Sequence, residues 1–454
     1  MKVYLSIIVF CLISLIICNE EGGVKVAVND EFINSILLNF EDDIQELLKG
    51  ISIDDVDSVT NMVFGIPNFS MDKMELFFDE EGLINLKLRN LEPYLTGTFH
   101  YTIIWDFSND FKATFKDFWL DAKIRVKTKE IAPGIYVPDA EFVGDPEMDF
   151  TIELDVDGTI ASLIAKILNF VSDFAKNYIL PIMKEKIHEL LAMVLEEIPT
   201  EVEIGDYLVD LTLAAPIELK NKFLQVNSYA LLFSKDYPET QNKTRYALSN
   251  FPSITDNQFQ LFVSEYTLNS AAFTYLTVNS EEALLSYTLS TGFVNVMLPG
   301  IAQKYGMKDS EISLIPKPET NVKLFEEFMV ITAPSTFSVK VDGFESPVFV
   351  CELNLILKAV AKVEKGPKFS AVITDLVGEI GEIFVNEATT SPLESIEKGF
   401  LTLKAAIVNI ANAYIKQYVD FPIPSIMGIS LTDIEIEHKN EYILVNFNIT
   451  RDDE

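Results

Sequence analysis

The residues that could do chemistry are few. Imidazole is supplied only by His100, His188 and His438, and no Gly-x-Ser-x-Gly elbow, Walker loop, Rossmann glycine fingerprint or His-Glu-x-x-His pair accompanies them. His188 lies in a long apolar-striped stretch and His438 in the charged run Glu435-Ile-Glu-His-Lys-Asn-Glu441, so both read as solvated or packing side chains rather than bases. Cys351 enters the apolar run Val348-Phe-Val-Cys-Glu-Leu353 with no His or cation beside it to stabilise a thiolate, and reads as a small core residue. Glu153, Asp155 and Asp157, followed by Gly158, have the spacing of half an EF-hand loop. That loop needs a closing Glu where Ile164 stands, and strand alternation already explains the three acids as one wet face. Asp42-Asp43 and Asp54-Asp55 read as solvated charges. The expectation is a chain that is not an enzyme, with no catalytic residue, no metal and no cofactor.

Charge narrows the partners. Asp and Glu number 69 against 35 Lys and Arg, a formal net charge of −34. Such a surface repels polyanions, so nucleic acid is excluded as a partner unless a local basic patch overrides it, and the one candidate is the modest cluster Lys123, Arg125, Lys127 and Lys129. Residues 1–18 place Lys2 before an apolar segment from Val3 to Ile17, the pattern of a secretory signal peptide cut near Cys18, with a retained anchor as the alternative. Cys11 and Cys18 fall inside that segment, which leaves Cys351 alone and the mature fold without an intrachain disulfide. Glycosylation sequons at Asn68, Asn242 and Asn448 are compatible with export. The chain reads as secreted, extracellular or lumenal.

The elements that would position a binding surface are organised around Ile160 to Ile198. Apolar residues recur there at helical spacing, through Leu163, Ile164, Ile167, Leu168, Val171, Phe174 and Ile182, while Lys166, Asp173, Lys184 and Glu189 occupy the other face. This predicts an amphipathic helix that does not span a membrane, ~58 Å long at ~1.5 Å per residue, with a kink at Pro181. A helix of that length needs an equally long partner, either another helix or a long curved sheet. The flanks favour the sheet. Upstream, Gly23 to Val28 alternates as a short strand, and Asn29 caps a helix from Asp30 to Leu48 that presents Ile33, Leu37 and Phe40 on one face and stops at Gly50. From about residue 63 to 157 the period falls to 2. Phe111, Ala113 and Phe115 alternate in the opposite phase to Phe118, Leu120, Ala122, Ile124 and Val126, which predicts a bulge near Asp117 that bends the sheet. Met148 to Val156 reads as a strand with one buried face. Beyond the long helix, Val202 to Leu213 and Ile217 to Phe233 read as two further strands.

A polar stretch, 235–259, containing Pro238 and Pro252, reads as a linker between two domains, 19–234 and 260–454. The order of elements then repeats: a helix over Ser264 to Leu276, a helical piece near Val294 to Tyr305, strand-like runs at 322–332, 335–341, 347–363 and 368–377, an amphipathic helix from Ile396 to Tyr418, and closing strands Ile426 to Ile436 and Tyr442 to Ile449. Ile198-Pro199 before one strand pair parallels Phe421-Pro-Ile-Pro424 before the other, so two copies of one architecture are predicted.

Three stretches carry a resemblance. Gly23-Val-Lys-Val-Ala-Val28 leading into its helix resembles the N-terminal signature of the tubular lipid-binding family that includes bactericidal/permeability-increasing protein, LPS-binding protein and the plasma lipid transfer proteins, with Ala27 where an Arg is usual and Asn29 where Ser or Thr is. Leu261 to Tyr275 resembles the start of that family's second domain, and Asp420-Phe-Pro-Ile-Pro424 with the closing strands resembles its end. The resemblance implies an α+β fold of two pseudo-symmetric barrels, each a bent antiparallel sheet wrapped around a long amphipathic helix, joined by a central sheet into an elongated boomerang with one apolar lipid pocket under each barrel. The family disulfide is impossible here, and the basic tip used against lipopolysaccharide has no counterpart in so acidic a chain.

The expected function is therefore a monomeric lipid-binding or lipid-transfer protein that holds phospholipid or another acyl-chain lipid and meets a membrane or lipid particle transiently. Ile33, Leu37, Phe40, Ile164, Ile167, Leu168 and Val171 would line the first pocket. Leu268, Ala272, Phe273, Ile407, Ala411 and Tyr414 would line the second, and plain core packing is the competing reading for each. The alternatives are host-defence recognition of bacterial envelope lipids such as lipopolysaccharide, and an acidic structural or storage protein of secretory granules.

Overall fold

The computed structural model describes residues 21–38, 41–56, 58–102, 106–132, 135–156, 161–187, 201–204, 206–252, 257–280, 285–364, 368–418, 421–422 and 429–451. The signal segment, Phe40, His188 and the end of the long helix lie outside them. The fold is mixed and rich in sheet. Its helices, in chain order, are α1 (Asp30–Leu37), α2 (Glu41–Leu47), α3 (Ala161–Phe174), α4 (Glu265–Val278), α5 (Thr291–Val294), α6 (Ile301–Tyr305) and α7 (Leu393–Tyr418).

The strand Val24–Val28 sits inside a six-stranded antiparallel sheet whose order is Glu218–Lys220, Phe223–Ser228, Val24–Val28, Phe259–Ser264, Tyr442–Arg451, Ile429–His438. Three strands come from each half of the chain, so this sheet ties the halves together. Both faces of Val24–Val28 are covered. Val24, Val26 and Val28 join the main core, and on the reverse face Lys25 is 2% exposed, donating to the carbonyl of Pro252 at 3.1 Å and lying 5.5 Å from the Phe262 ring centre. A strand covered on both sides has no wet face, which is why Ala27 sits at zero exposure and Lys25 needs its own partners.

The first large sheet is built on one strand, Asp106–Ala132, which pairs in turn with Tyr94–Thr102, Ile84–Leu91, Ile135–Phe142 and Glu147–Val156. The bulge predicted near Asp117 is present: Asp117 has φ +55, and the register shifts against both flanking strands there. One extra residue restores the apolar face, so Phe115 and Phe118 are both fully buried although their spacing is odd. The second large sheet runs Leu285–Ser290, Asp309–Pro316, Phe328–Val341, Phe349–Glu364, Lys368–Asn386, Phe421–Pro422, and α7 crosses it on the strand Lys368–Asn386.

Several expected elements differ in detail. The helix expected from Asp30 to Leu48 is α1 and α2. Val202 to Leu213 is a hairpin, with Glu201–Ile204 pairing antiparallel with Tyr207–Asp210. Ile217 to Phe233 is broken where Asn221 and Lys222 both take positive φ, the geometry of a tight hairpin turn. The long helix continues without a break past Pro181: α3 passes into a π turn over Ala175–Ile179 and the chain is helical again through 180–187. A ring at 181 removes one N–H and crowds the carbonyl four residues back, and the wider π turn is a local way to relieve that crowding.

Candidate functional site

The first apolar surface lies between the long helix and the concave face of the first large sheet. Ile167 and Val171 are fully buried, and the Phe170 ring stands 6.5 Å from that of Phe99 and 6.4 Å from that of Phe111, both edge-on. Phe174 continues the row, 5.8 Å from Phe170 and stacked on Tyr178 at 5.0 Å. Ile33 and Leu37 on α1 pack half-buried against the same core, and Phe32 is buried with its ring 5.1 Å from Phe259 of the central sheet. Leu168 is half-buried, Ile164 is 37% exposed and Tyr178 40%, so the stripe is exposed toward both ends and closed in its middle. The aromatic row Phe170, Phe174, Tyr178 was not among the expected lining residues, although its i, i+4 spacing marks it.

The second set is spread over four environments. Ile407 packs half-buried on the second core, Ala411 is buried with Ala359 and Ile373, and Leu268 packs against the first core. Ala272 is half-buried; Phe273 is buried under the Arg245 guanidinium, 3.5 Å from the ring centre. Tyr414 belongs to α7, and its side chain lies outside the description. One apolar seam in the second half, among residues such as Phe337, Phe349, Cys351, Leu353 and Phe400, has no room for a water molecule. Admitting an acyl chain there requires side chains to move.

The chemistry-bearing residues stay apart. Burial pushes the Cys351 thiol up to about 12, so it is inert at neutral pH. His100 is exposed beside Thr60 at 2.8 Å. His438, expected in a solvated turn, is instead 9% exposed on the closing strand, where its Nε2 accepts the N–H of Ala361 at 2.9 Å and burial lowers its pKa. Glu153 and Asp155 occupy the wet face of their strand, and no cluster of three metal-ligating side chains forms among the described residues. A mostly polar cleft of about 370 Å³ in the first sheet is lined by Asn61, Thr98, Asp110, Phe111, Lys112 and Asp155. Asn68 and Asn242 are exposed, and Asn448 is half-buried with its amide 3.4 Å from Asp433.

No family model matches the chain. A curated protein, bactericidal permeability-increasing protein of Sebastes schlegelii, is 23% identical over 218 residues, covering 45% of this chain and 45% of that protein. The resemblance to the bactericidal/permeability-increasing family stands. The chain thus spans under half the length of this curated relative, and the relative's activity does not transfer by that match alone. Among solved structures, lipopolysaccharide binding protein aligns over 95% of this chain and 100% of its own, at 14% identity and a TM-score of 0.45. Takeout 1 of Epiphyas postvittana aligns over 37% of this chain and 91% of its own, at 12% identity and a TM-score of 0.22. Likenesses this loose carry no further argument.

For a chain resembling the bactericidal/permeability-increasing proteins, the state of its one basic cluster matters. Lys127 binds Glu141 at 2.6 Å and faces Asp139 at 3.9 Å, and Arg125 faces Glu141 at 3.6 Å. The hydrogen bond between them raises the Lys127 pKa and lowers that of Glu141. The neighbouring strand therefore neutralises the middle of the cluster and leaves Lys123 and Lys129 at its exposed ends. No helix among the described residues is long and apolar enough to cross a membrane.

Proposed function

We propose that this chain is a secreted lipid carrier that holds acyl-chain lipid along the apolar stripe of the long helix and, after opening of its interior, in the second half, without enzymatic activity. The observation that carries the reading is the first site: a helix face of Ile167, Phe170, Val171 and Phe174 laid on a sheet bent by the Asp117 bulge, opening at half-exposed Ile164 and Leu168. An apolar stripe partly exposed at its ends suits a flexible hydrocarbon chain better than a rigid polar ligand. The test is native mass spectrometry of protein purified without detergent, with organic extracts analysed in parallel. About two acyl-chain lipids per chain are expected, and a bare protein mass with empty extracts would sink the proposal.

The second reading, recognition of bacterial envelope lipids, is supported by the name of the curated relative. The two readings separate on salt. A carrier with a net charge of −34 should bind neutral vesicles almost independently of ionic strength and anionic ones more weakly at low salt. Tight lipopolysaccharide binding at low salt, released as salt rises, would put recognition ahead, with Lys123 and Lys129 as the first residues to replace.

A further inference from the structure

From Ala283 to Lys308 the sequence contains no Asp or Glu, although the chain has 69 of them. The described part of this stretch forms the end of the second large sheet, through α5, α6 and the turns around them. It is rigidly built. The buried hydroxyl of Thr291 donates to the Gly306 carbonyl at 2.6 Å and accepts the Lys308 N–H at 3.0 Å, and the Thr291 N–H donates to the Lys308 carbonyl at 2.8 Å. Asn295 Oδ1 accepts the N–H groups of Gly300 and Ala302. Gly300 and Gly306 turn the chain at φ +100 and +76 in open space.

Val294, Met297, Leu298 and Ile301 anchor this frame in the core, and four other apolar side chains point outward. Met307 is 79% exposed, Val296 43% and Phe293 39%, and Phe344 of the adjoining turn is 42% exposed with its ring 5.0 Å from Tyr305. A side chain as large as Met307 would fold inward if the loop were free to choose, and the hydrogen bonds on both sides of it forbid that. Two cations flank the group: the Lys308 ammonium lies 5.2 Å from the Phe344 ring centre and the Lys304 ammonium 5.3 Å from that of Tyr305. The carboxylates that border the group, Asp309, Asp342, Glu345 and Glu387, are also exposed, and the Glu387 carbonyl accepts from the Lys304 ammonium and the Tyr305 hydroxyl.

We propose that this tip is a membrane-docking surface whose occupant is the interface of a zwitterionic phospholipid bilayer. Phe293, Met307 and Phe344 enter the acyl boundary while Lys304 and Lys308 stay at the depth of the lipid phosphates. Aromatic and thioether side chains over an apolar boundary with lysines at its edge are the composition that partitions into an interface. Within the stretch itself no carboxylate opposes a phosphate. The neighbouring Asp and Glu side chains set the limit, so strongly anionic bilayers are bound less well. The proposal names the acceptor surface for the carrier reading, but the docking geometry stands apart from whether cargo is held.

The test is flotation of the full chain with phosphatidylcholine vesicles, comparing wild type with Met307→Asp and with Met307→Asp/Phe344→Asp. Thermal melting serves as the folding control, native mass spectrometry reads cargo, and sedimentation velocity reads self-association. Because both positions are exposed, the variants should melt with wild type and keep the same lipid content while vesicle affinity falls about tenfold or more. In a separate variant, Met307→Trp should give a blue-shifted emission on vesicles. Wild-type protein that ignores the vesicles, or folded tip variants that bind within about twofold of wild type, would overturn docking while leaving the cargo result untouched. A wild-type dimer lost in the variants, with vesicle binding unchanged, would reassign the tip to a second copy of the chain. Vesicle binding that needs the tip in a protein carrying no lipid would uphold docking and remove the carrier reading.

Discussion

The sharpest structural prediction concerns Gly23, where the two halves meet. Its N–H donates to the Ser228 carbonyl at 2.9 Å, and its own carbonyl accepts both the N–H of Ser264 at 2.9 Å and the hydroxyl of Ser264 at 2.6 Å. A Cβ built at this position would stand 1.7 Å from the Tyr229 carbonyl oxygen and 2.8 Å from Thr267 Oγ1. The obstacle is backbone, so no rotamer change relieves it. Reaching an ordinary contact of about 3.5 Å would move the strands apart by about 2 Å, enough to break the bond to Ser228 in a buried site. With an unpaired donor and acceptor at about 1 to 3 kcal/mol each, Gly23→Ala should cost about 2 to 6 kcal/mol, a large share of a typical total stability of about 5 to 15 kcal/mol. Denaturant titration followed by circular dichroism measures this. Gly144→Ala is the control, because Gly144 has φ +78 and open space around it, so it isolates the backbone cost of about 1 kcal/mol. If Gly23→Ala unfolds within about 1 kcal/mol of wild type, the close approach of the strands is wrong and the argument for a shared central sheet weakens with it.

Three further outcomes follow from the geometry. Ile167→Trp should displace bound lipid with the fold intact if the stripe lines a cavity, whereas unchanged lipid with a loss of about 1 to 3 kcal/mol would mark the position as solid core. His438 has a folded pKa below its ordinary value of 6.5, so the neutral form is favoured by folding: its contribution is complete above about 6.5 and is lost as pH falls through the folded value. Wild type should therefore lose melting temperature between about pH 7 and about pH 5 more steeply than His438→Gln, and parallel curves would exclude the residue as the source. Asp210 accepts the Lys243 ammonium at 2.6 Å and the Thr212 N–H and hydroxyl at 2.8 and 2.6 Å, so Asp210→Ala should destabilise by about 1 to 3 kcal/mol, and a change below about 0.5 kcal/mol would show that water replaces it.

Much of the fold was legible because it is periodic. The alternation on both sides of Asp117, the helix beginning at Ser264 and the stripe of α7 each follow from short-range spacing that the chain displays in order. What was missed depends on partners distant in sequence. Phe259–Ser264 is covered on both faces, so it shows no alternation and hides at the end of a polar linker. His438 sits in a charged run, and its burial comes from Ala361, 77 positions away. The site was legible only as a stripe. Ile167 and Val171 have the same apolar signature whether they close a core or line a slot, and the ring of Phe170 between Phe99 and Phe111 depends on how the helix is laid across the sheet.

The shared central sheet also sets a schedule for synthesis. Val24–Val28 emerges from the ribosome early, but its neighbour on one side belongs to the second half, and Gly23 waits for Ser264, 241 positions later. At roughly 5 to 20 residues per second, that interval is about ten to fifty seconds, during which an apolar strand has an unpaired edge. A nascent chain of this kind is open throughout to pairing with the wrong strand or the wrong copy. Its yield should therefore depend on whatever shields that edge before residue 264 leaves the exit tunnel, and a stop placed before Phe259 should leave a first half unable to complete its own sheet.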